Sequence, residues 1–355
     1  MRDYAMPMPL GWFQVAWSDD LPAGTAKPLQ YFGRHMVAWR DDAGEAHVWD
    51  AFCPHLGAHL GIRSVVRGNT LTCALHRWVF DADGSCADVP YSDRVNQQAN
   101  VRTYPVVERN GLVMVWYHPT DEPPAWDVPS LSEFGADTEF SEVFRRHYRL
   151  GCHWQEVAET QVDAAHIQAH LIEYQIALNG GRPLDRAMPP QVDSYDLDGP
   201  VARIRITQGF PTPQGDVSGR IDTDVHGPGF AATWFTGLVD TLLIGCAVPV
   251  DAGSCEVRYS FVVRKQGDAA STSSLGEAFI NEIHERTAED VEIWENKAYL
   301  ARPALIAGDG PIMKYRRWCE QFYAEGVDRS RLVWAPPLDE PSPEPIVQLA
   351  TSAAG

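Results

Sequence analysis

The sequence predicts an α+β protein in two parts: a small antiparallel β domain, then a larger domain of strands enclosed by helices. Three observations predict it. From Gly11 to His118, short apolar runs alternate with Gly, Asp and Asn turns. Beyond residue 153, helix-periodic segments bracket a run of strand-like text. The 355 residues, 45% hydrophobic and 22% charged, suffice for two cores of ordinary composition.

In the first part, "HMVAW", "AHVWDAF", "TLTCAL" and "GLVMVWY" carry β-branched and aromatic residues bounded by turn formers, the mark of short strands. "HPTDEPPAWDVPS", His118 to Ser130, is rich in proline and acid and reads as a linker. A helical pattern runs from about Trp154 to Ile176. Strands return from about Val192 to Lys265, among them "VARIRITQGF", "FAATWFTGLV", "TLLIGCAVPV" and "CEVRYSFVVRK". Leu275 to Tyr299 reads as a second helix and "PIMKYRRWCEQFYAE" as a third. The proline-rich tail after Trp334 reads as extended or disordered. The expected boundaries are a β domain at 10–118, a linker and entry segment at 119–153, a second domain at 154–334 and a tail at 335–355.

A formal net charge of −19 argues against a nucleic-acid partner, which needs a basic face. It suits a protein partner with a basic patch. The seven cysteines, an odd count in a long chain, do not read as a disulfide framework, and reduced thiols in a cytoplasm are expected. "MRDYAMPMPLGWF" lacks a basic region followed by an apolar core, so no signal peptide is expected. The most apolar stretch, Gly227 to Val250, is interrupted by Asp240 and by prolines, and reads as strands rather than a membrane span.

Two clusters in the β domain carry chemistry: Cys53-Pro54-His55 and Cys73-Ala74-Leu75-His76, with seventeen residues between His55 and Cys73. Zinc fingers pair like with like, as C-x2–4-C and H-x3–5-H. Here each cluster is mixed. A Rieske [2Fe–2S] centre needs that mixture, two thiolates on one iron and two imidazoles on the other. Each loop then supplies one ligand to each iron. Gly57 and Gly84 fit turns whose backbone approaches the cluster and donates N–H groups to sulfur. His59 reads as a surface or neighbouring histidine, and Cys86 as a spare buried thiol.

A β domain of this kind needs only the first third of the chain. The segment "CHWQEVAETQVDAAHIQAHL" indicates what the rest does. At about 100° per residue, Glu159, Asp163, His166 and His170 fall within about 60° on an otherwise largely apolar helix. An i, i+4 pair of histidines can reach one ion. Adding one carboxylate makes the facial triad of non-haem Fe(II) oxygenases. The segment "NEIHERTAEDVEIWENKAYL" offers Glu282, Glu285, Glu289, Asp290, Glu292 and Glu295. Asp290 is selected because it lies by angle amid Ile283, Ile293 and Trp294, where a carboxylate is costly unless it meets a cation.

Together these residues resemble the oxygenase component of Rieske non-haem iron oxygenases, and within them the 3-ketosteroid 9α-hydroxylase oxygenase group. The phrases that carry the likeness are "AWRDDAGEAHVWDAFCPHLGAHL", "CADVPYSDRV", "VDAAHIQAHL", "EDVEIWENKAYLARPALIAGDGP" and "YRRWCEQFY". The resemblance implies a Rieske domain followed by a helix-grip catalytic domain with a curved antiparallel sheet. By match, Cys53, His55, Cys73 and His76 hold the cluster, and His166, His170 and Asp290 hold a mononuclear Fe(II). Asp163 matches the family aspartate that links an iron-ligand histidine to a cluster histidine, here His76, of the next subunit in a head-to-tail homotrimer. The implied activity is a monooxygenase using O2 and electrons from a separate NAD(P)H-dependent reductase, with or without a ferredoxin. Its small hydrophobic substrate is a steroid or sterol as first choice. Demethylation, desaturation or hydroxylation of an aromatic or alkaloid, electron transfer without catalysis, and a structural zinc protein are the alternatives. The chain departs from the family in three places. Three residues rather than four separate His166 and His170, Thr160-Gln-Val-Asp163 replaces an N-x-x-D, and Gly245 stands where the ketosteroid branch has an Asn.

Overall fold

The computed structural model describes residues 6–166, 169, 190–212, 215–237 and 239–324. The chain divides into two compact units. One comprises Met8–Ser130 with Val248–Ala252; the other takes in Met1–Pro7, Leu131–Ala247 and Gly253–Gly355, as far as they are described.

The first unit is all-β. Its strands are β1 (Gly11–Trp17), β2 (Ala26–Tyr31), β3 (Arg34–Arg40), β4 (Ala46–Asp50), β5 (Val65–Arg67), β6 (Thr70–Thr72), β7 (Val79–Asp81), β8 (Cys86–Asp88), β9 (Thr103–Tyr104), β10 (Val106–Arg109) and β11 (Leu112–Tyr117). They form three antiparallel sheets, ordered β1-β11-β10, β2-β3-β4-β9 and β5-β6-β7-β8. All six residues of β11 are buried, as a continuous apolar run requires. One core gathers Phe13, Phe32, Met36 and Val115; a second gathers Trp39, Trp49, Leu60, Leu71 and Phe80 with Cys53 and Cys73 at its edge. The proline-rich stretch 118–130 packs on this unit. Trp126 meets Trp116 edge-on at 4.6 Å, and its carbonyl accepts from Trp12 Nε1 at 2.6 Å.

The second unit is one seven-stranded sheet in helix-grip form. Its strands are β12 (Phe144–Leu150), β13 (Gln191–Asp198), β14 (Val201–Thr212), β15 (Gly215–His226), β16 (Ala231–Thr236), β17 (Thr241–Asp251) and β18 (Ser254–Val263). The order β12-β18-β17-β16-β15-β14-β13 is a meander with β12 added at one edge. In β14, Ala202, Ile204 and Ile206 are buried, while Arg203 and Arg205 face outward and pair with Asp224 of β15. After β18 comes helix α2 (Ala269–Asn296), which packs on β12 and β18. It starts earlier than the periodicity suggests because Asp268 caps it, accepting from Ser271 N–H at 2.8 Å. Helix α3 (Ile312–Cys319) follows, ending in a 3-10 turn at Glu320–Phe322. Among the described residues no helix is long and apolar enough to cross a membrane, and all seven cysteines are free.

The expected continuous helix from Trp154 is broken. Helix α1 covers only Trp154–Ala158, and a 3-10 turn covers Glu159–Val162. Asp163 leaves helical geometry (φ −87°, ψ 88°), and helical residues resume at Ala164–His166. The reason is a cap: Asp163 Oδ1 accepts the His166 backbone N–H at 2.9 Å, which starts a new helix and ends the old one. The angular stripe from Glu159 to His170 therefore does not exist as drawn. Glu159 turns away to Arg316, and His170 lies outside the described residues.

Candidate metal centres

The cysteine–histidine clusters sit on two loops of the same design, one between β4 and β5, the other between β6 and β7. In the first, Cys53 N–H donates to Ala58 O at 2.9 Å and Gly57 N–H to Cys53 O at 2.9 Å. In the second, Cys73 N–H donates to Trp78 O at 2.8 Å and Arg77 N–H to Cys73 O at 3.1 Å. The residue four past each cysteine is left-handed, Gly57 at φ +75° and Arg77 at φ +63°. The sequence hides this likeness because an arginine does in one loop what a glycine does in the other.

Each loop presents its cysteine inward and its histidine outward. Cys53 and Cys73 are 3% and 1% exposed, and their thiols interact directly. Burial pushes the Cys53 thiol up to about 11, opposed by the backbone N–H groups of His55 and Leu56 that reach its sulfur. The rings of His55 and His76 lie 4.6 Å apart, and His55 stacks flat on Trp78 at 4.5 Å. His55 Nδ1 is buried with no hydrogen-bond partner, a costly arrangement unless that nitrogen ligates a metal. Two sulfurs pair and two imidazoles pair, which is the donor set of a two-iron Rieske cluster. The expectation for Gly57 and Gly84 is corrected. Gly57 N–H goes to Cys53 O and Gly84 N–H to Asp81 O, so neither serves sulfur. Gly84 is fixed by space instead, since a Cβ there would stand 2.2 Å from Val101 O. His59 Nδ1 accepts from Gly61 N–H at 3.0 Å, and Cys86 is a buried thiol.

The second unit brings His166 and Asp290 together. His166 Nε2 lies 3.2 Å from Asp290 Oδ2, and Asp290 is 6% exposed. The two come from distant elements, the helical turn started by Asp163 and the middle of α2. Both open on a cavity of about 670 Å3 between α2 and the sheet. Its lining is mainly apolar, with Phe235, Leu243 and Val257 from the sheet and Phe279, Ile283 and Trp294 from the helix. Phe279 and Trp294 are fifteen residues apart on α2, so the cavity follows about 22 Å of helix. Gly245 lies on its floor, beside the Tyr259 ring. The face of α2 differs from the angular reading in one respect. Ile293 is 60% exposed, and Thr287 stands beside Asp290 on the cavity side. Glu295 is 2% exposed and accepts Gly151 N–H at 2.7 Å.

Buried ion pairs hold α1 and its following turn behind the cavity. Glu159 takes both Arg316 Nε and Nη2, at 2.5 and 2.7 Å, and Arg316 stacks on Tyr299 at 4.2 Å. Lys297 Nζ lies 2.6 Å from Glu156 Oε2. These residues lack a sequence signature because each pair joins positions more than 140 apart in the chain.

A family model described as the 3-ketosteroid 9α-hydroxylase C-terminal domain matches residues 115–323, and the Rieske [2Fe-2S] domain model matches residues 11–105. The chain belongs to the 3-ketosteroid 9α-hydroxylase family of Rieske oxygenases. It is 29% identical to a 3-ketosteroid-9-alpha-monooxygenase oxygenase component of Rhodococcus rhodochrous, over 90% of this chain and 82% of that protein. It is also 29% identical to a cholesterol 7-desaturase of Caenorhabditis elegans, over 89% of this chain and 77% of that protein. The fold is that of solved Rieske oxygenases. An apo dicamba monooxygenase aligns with TM-score 0.68 at 16% identity over 90% of this chain and 98% of that one. Pseudomonas putida CBB5 NdmA aligns with TM-score 0.69 at 19% identity over 96% and 97%. The Rieske oxygenase reading makes the chain an oxidoreductase that carries a [2Fe–2S] cluster, and a solved dicamba monooxygenase of the same fold holds a non-haem iron. As an oxygenase component it works with a separate reductase.

Proposed function

We propose that this Rieske oxygenase hydroxylates a steroid or sterol-like molecule in the cavity between α2 and the sheet. The observation that carries the reading is the cavity itself, about 670 Å3 and mainly apolar, with the His166–Asp290 pair in its wall. Such a volume suits a fused-ring molecule, and the relatives from Rhodococcus rhodochrous and Caenorhabditis elegans are named for steroid and sterol substrates. Cys53, His55, Cys73 and His76 would hold the cluster, and His166, His170 and Asp290 the mononuclear iron. When bound, the cluster supplies electrons one at a time and the iron supplies the activation of O2.

The chain's own groups do the rest. The apolar walls bind the substrate and displace water. Asp163 orients His166 by holding its backbone N–H. The role of Asp163 as link to His76 of a neighbouring subunit, and with it the head-to-tail homotrimer, belongs to this proposal. Exposed Phe52, Leu56 and Leu75 around the cluster loops support a protein partner at that surface. Free thiols support a cytoplasmic setting. The domain division at about 10–118 and 154–334 is carried in the same way. Desaturation is the second reading, favoured by the likeness to the Caenorhabditis elegans desaturase.

The test is turnover by the full chain with a surrogate reductase, NAD(P)H and a panel of about 20 steroids, sterols and substituted aromatics. Hydroxylated steroid carrying oxygen from labelled O2 is the expected product. A dehydrogenated sterol would favour the second reading, and product from the aromatics alone would overturn the steroid assignment.

A further inference from the structure

The segment "CADVPYSDRV" lies just past the second cluster loop. Strand β8 pairs with β7, Asp88 opposite Val79, so the chain beyond β8 returns alongside Trp78. Val89 to Ser92 then makes a tight turn, closed by Ser92 N–H on Val89 O at 3.0 Å, with Pro90 as its second residue. The third residue, Tyr91, is 62% exposed. Its hydroxyl nevertheless turns back and accepts the Trp78 Nε1 proton at 2.7 Å. An exposed phenol has water as a ready partner, so this bond matters for what it does to Trp78.

Trp78 is held at both ends. Its carbonyl accepts Cys73 N–H at 2.8 Å, which closes the loop, and its indole N–H goes to Tyr91. Between these anchors the buried indole lies flat on the His55 ring, 4.5 Å between centroids and 8° between planes. Among the described residues no hydrogen bond holds the His55 ring, whose Nδ1 is the buried nitrogen without a partner. The His76 ring meets it only edge-on, at 4.6 Å. The plane of His55 is therefore set by the face of Trp78, and the position of that face by Tyr91.

We propose that Tyr91 is a positioning residue for the Rieske cluster: by holding the indole of Trp78 it fixes the plane of His55 and keeps water off that side of the cluster. This rests on the reading of His55 as a cluster ligand. The consequence is redox. With two thiolates and two neutral imidazoles as ligands, the oxidised cluster carries no net charge, and one added electron makes it an anion. Water favours the anion. An indole that excludes water therefore holds the reduction potential down, and an indole set loose lets it rise. Loss of the Tyr91 hydroxyl also frees the His55 ring to turn, which alters how its nitrogen meets iron.

The experiment uses the full chain with its cluster, without substrate or reductase. Tyr91→Phe keeps the ring and loses the acceptor; Trp78→Phe keeps an aromatic face and loses the donor. Tyr91→Phe should retain about two acid-labile sulfides per chain. Its midpoint potential, read by spectroelectrochemistry, should rise, and the EPR g-values of the reduced cluster should shift. Iron release from the oxidised cluster to a chelator should be about twofold to tenfold faster, the range that one hydrogen bond supplies. Adding Tyr91→Phe to Trp78→Phe should change none of these further, because both residues act through one contact. Wild-type potential and g-values in Tyr91→Phe would overturn the proposal, even where affinity for the reductase falls, since Tyr91 would then be a docking contact alone. Effects of the two changes that simply add would overturn it as well. If Trp78→Phe loses its sulfide, Tyr91→Phe alone decides. A wild-type chain with neither acid-labile sulfide nor a reduced-state EPR signal would instead overturn the reading of His55 as a cluster ligand.

Discussion

At the residue scale, the two metal centres differ in how openly the sequence declares them. The proposed Rieske ligands Cys53, His55, Cys73 and His76 sit two or three positions apart on each loop, so their chemistry is local and legible. The amides of His55 and Leu56 that reach sulfur, and the left-handed Arg77, have no such signature. Asp290 was legible as a carboxylate among apolar neighbours, although Ile293 proved to face outward. His153 shows a residue whose role only burial reveals. It caps α1, accepting Gln155 N–H at 3.3 Å, and full burial lowers its pKa to about 3. Between that value and an unfolded value of about 6.5, the unfolded chain binds a proton that the folded chain refuses. This contribution is complete above pH 6.5 and shrinks as pH falls, by about 1.4 kcal/mol per unit, or about 2 kcal/mol at pH 5. His153→Asn keeps a capping oxygen and removes the titration. Urea midpoints at pH 7.5 and pH 5 should therefore lie closer together in the variant than in the wild type; an equal drop in both would rule out His153 as the cause.

At the element scale, the break between α1 and the turn carrying His166 decides where His166 meets Asp290, the proposed iron site. Periodicity could not show it, because the apolar spacing stays helical through Asp163 while the aspartate diverts the backbone to its own cap. A second contact fixes the same break. Gly310 (φ +91°) lies against it so closely that a Cβ would stand 2.1 Å from Val162 O and 3.1 Å from Ala164 N. Backbone on both sides leaves nothing flexible to yield. Gly310→Ala should therefore displace Asp163 and His166, cutting turnover at least about tenfold through misplacement of the site. The visible spectrum of the Rieske cluster should persist; unchanged kcat in this variant would mean that the break tolerates movement. Strand β12 was hidden for a different reason. "FRRHYRL" looks like solvent-facing text, yet it pairs with β18 from Phe144↔Phe261 to Leu150↔Cys255 and places Tyr148 beneath α2. Long-range pairing, not local propensity, makes it a strand.

At the scale of the whole molecule, the two-part α+β plan was legible because each part has its own periodicity, and the family models cover both parts. What the sequence could not supply is the space between elements. The cavity of about 670 Å3 arises from the sheet meeting α2, and its lining comes from residues spread from Val157 to Trp294. That space is the reason the chain continues beyond the Rieske domain. In the proposed function the cluster loops would be the electron inlet, and the chemistry is assigned to the cavity wall where His166 and Asp290 meet. Metal analysis tests that assignment most directly. Wild-type protein should contain about three Fe and two acid-labile sulfides per chain, and Asp290→Ala about two Fe and two sulfides with an unchanged cluster spectrum. Two Fe in the wild type, or three retained in Asp290→Ala, would contradict an iron held at this site.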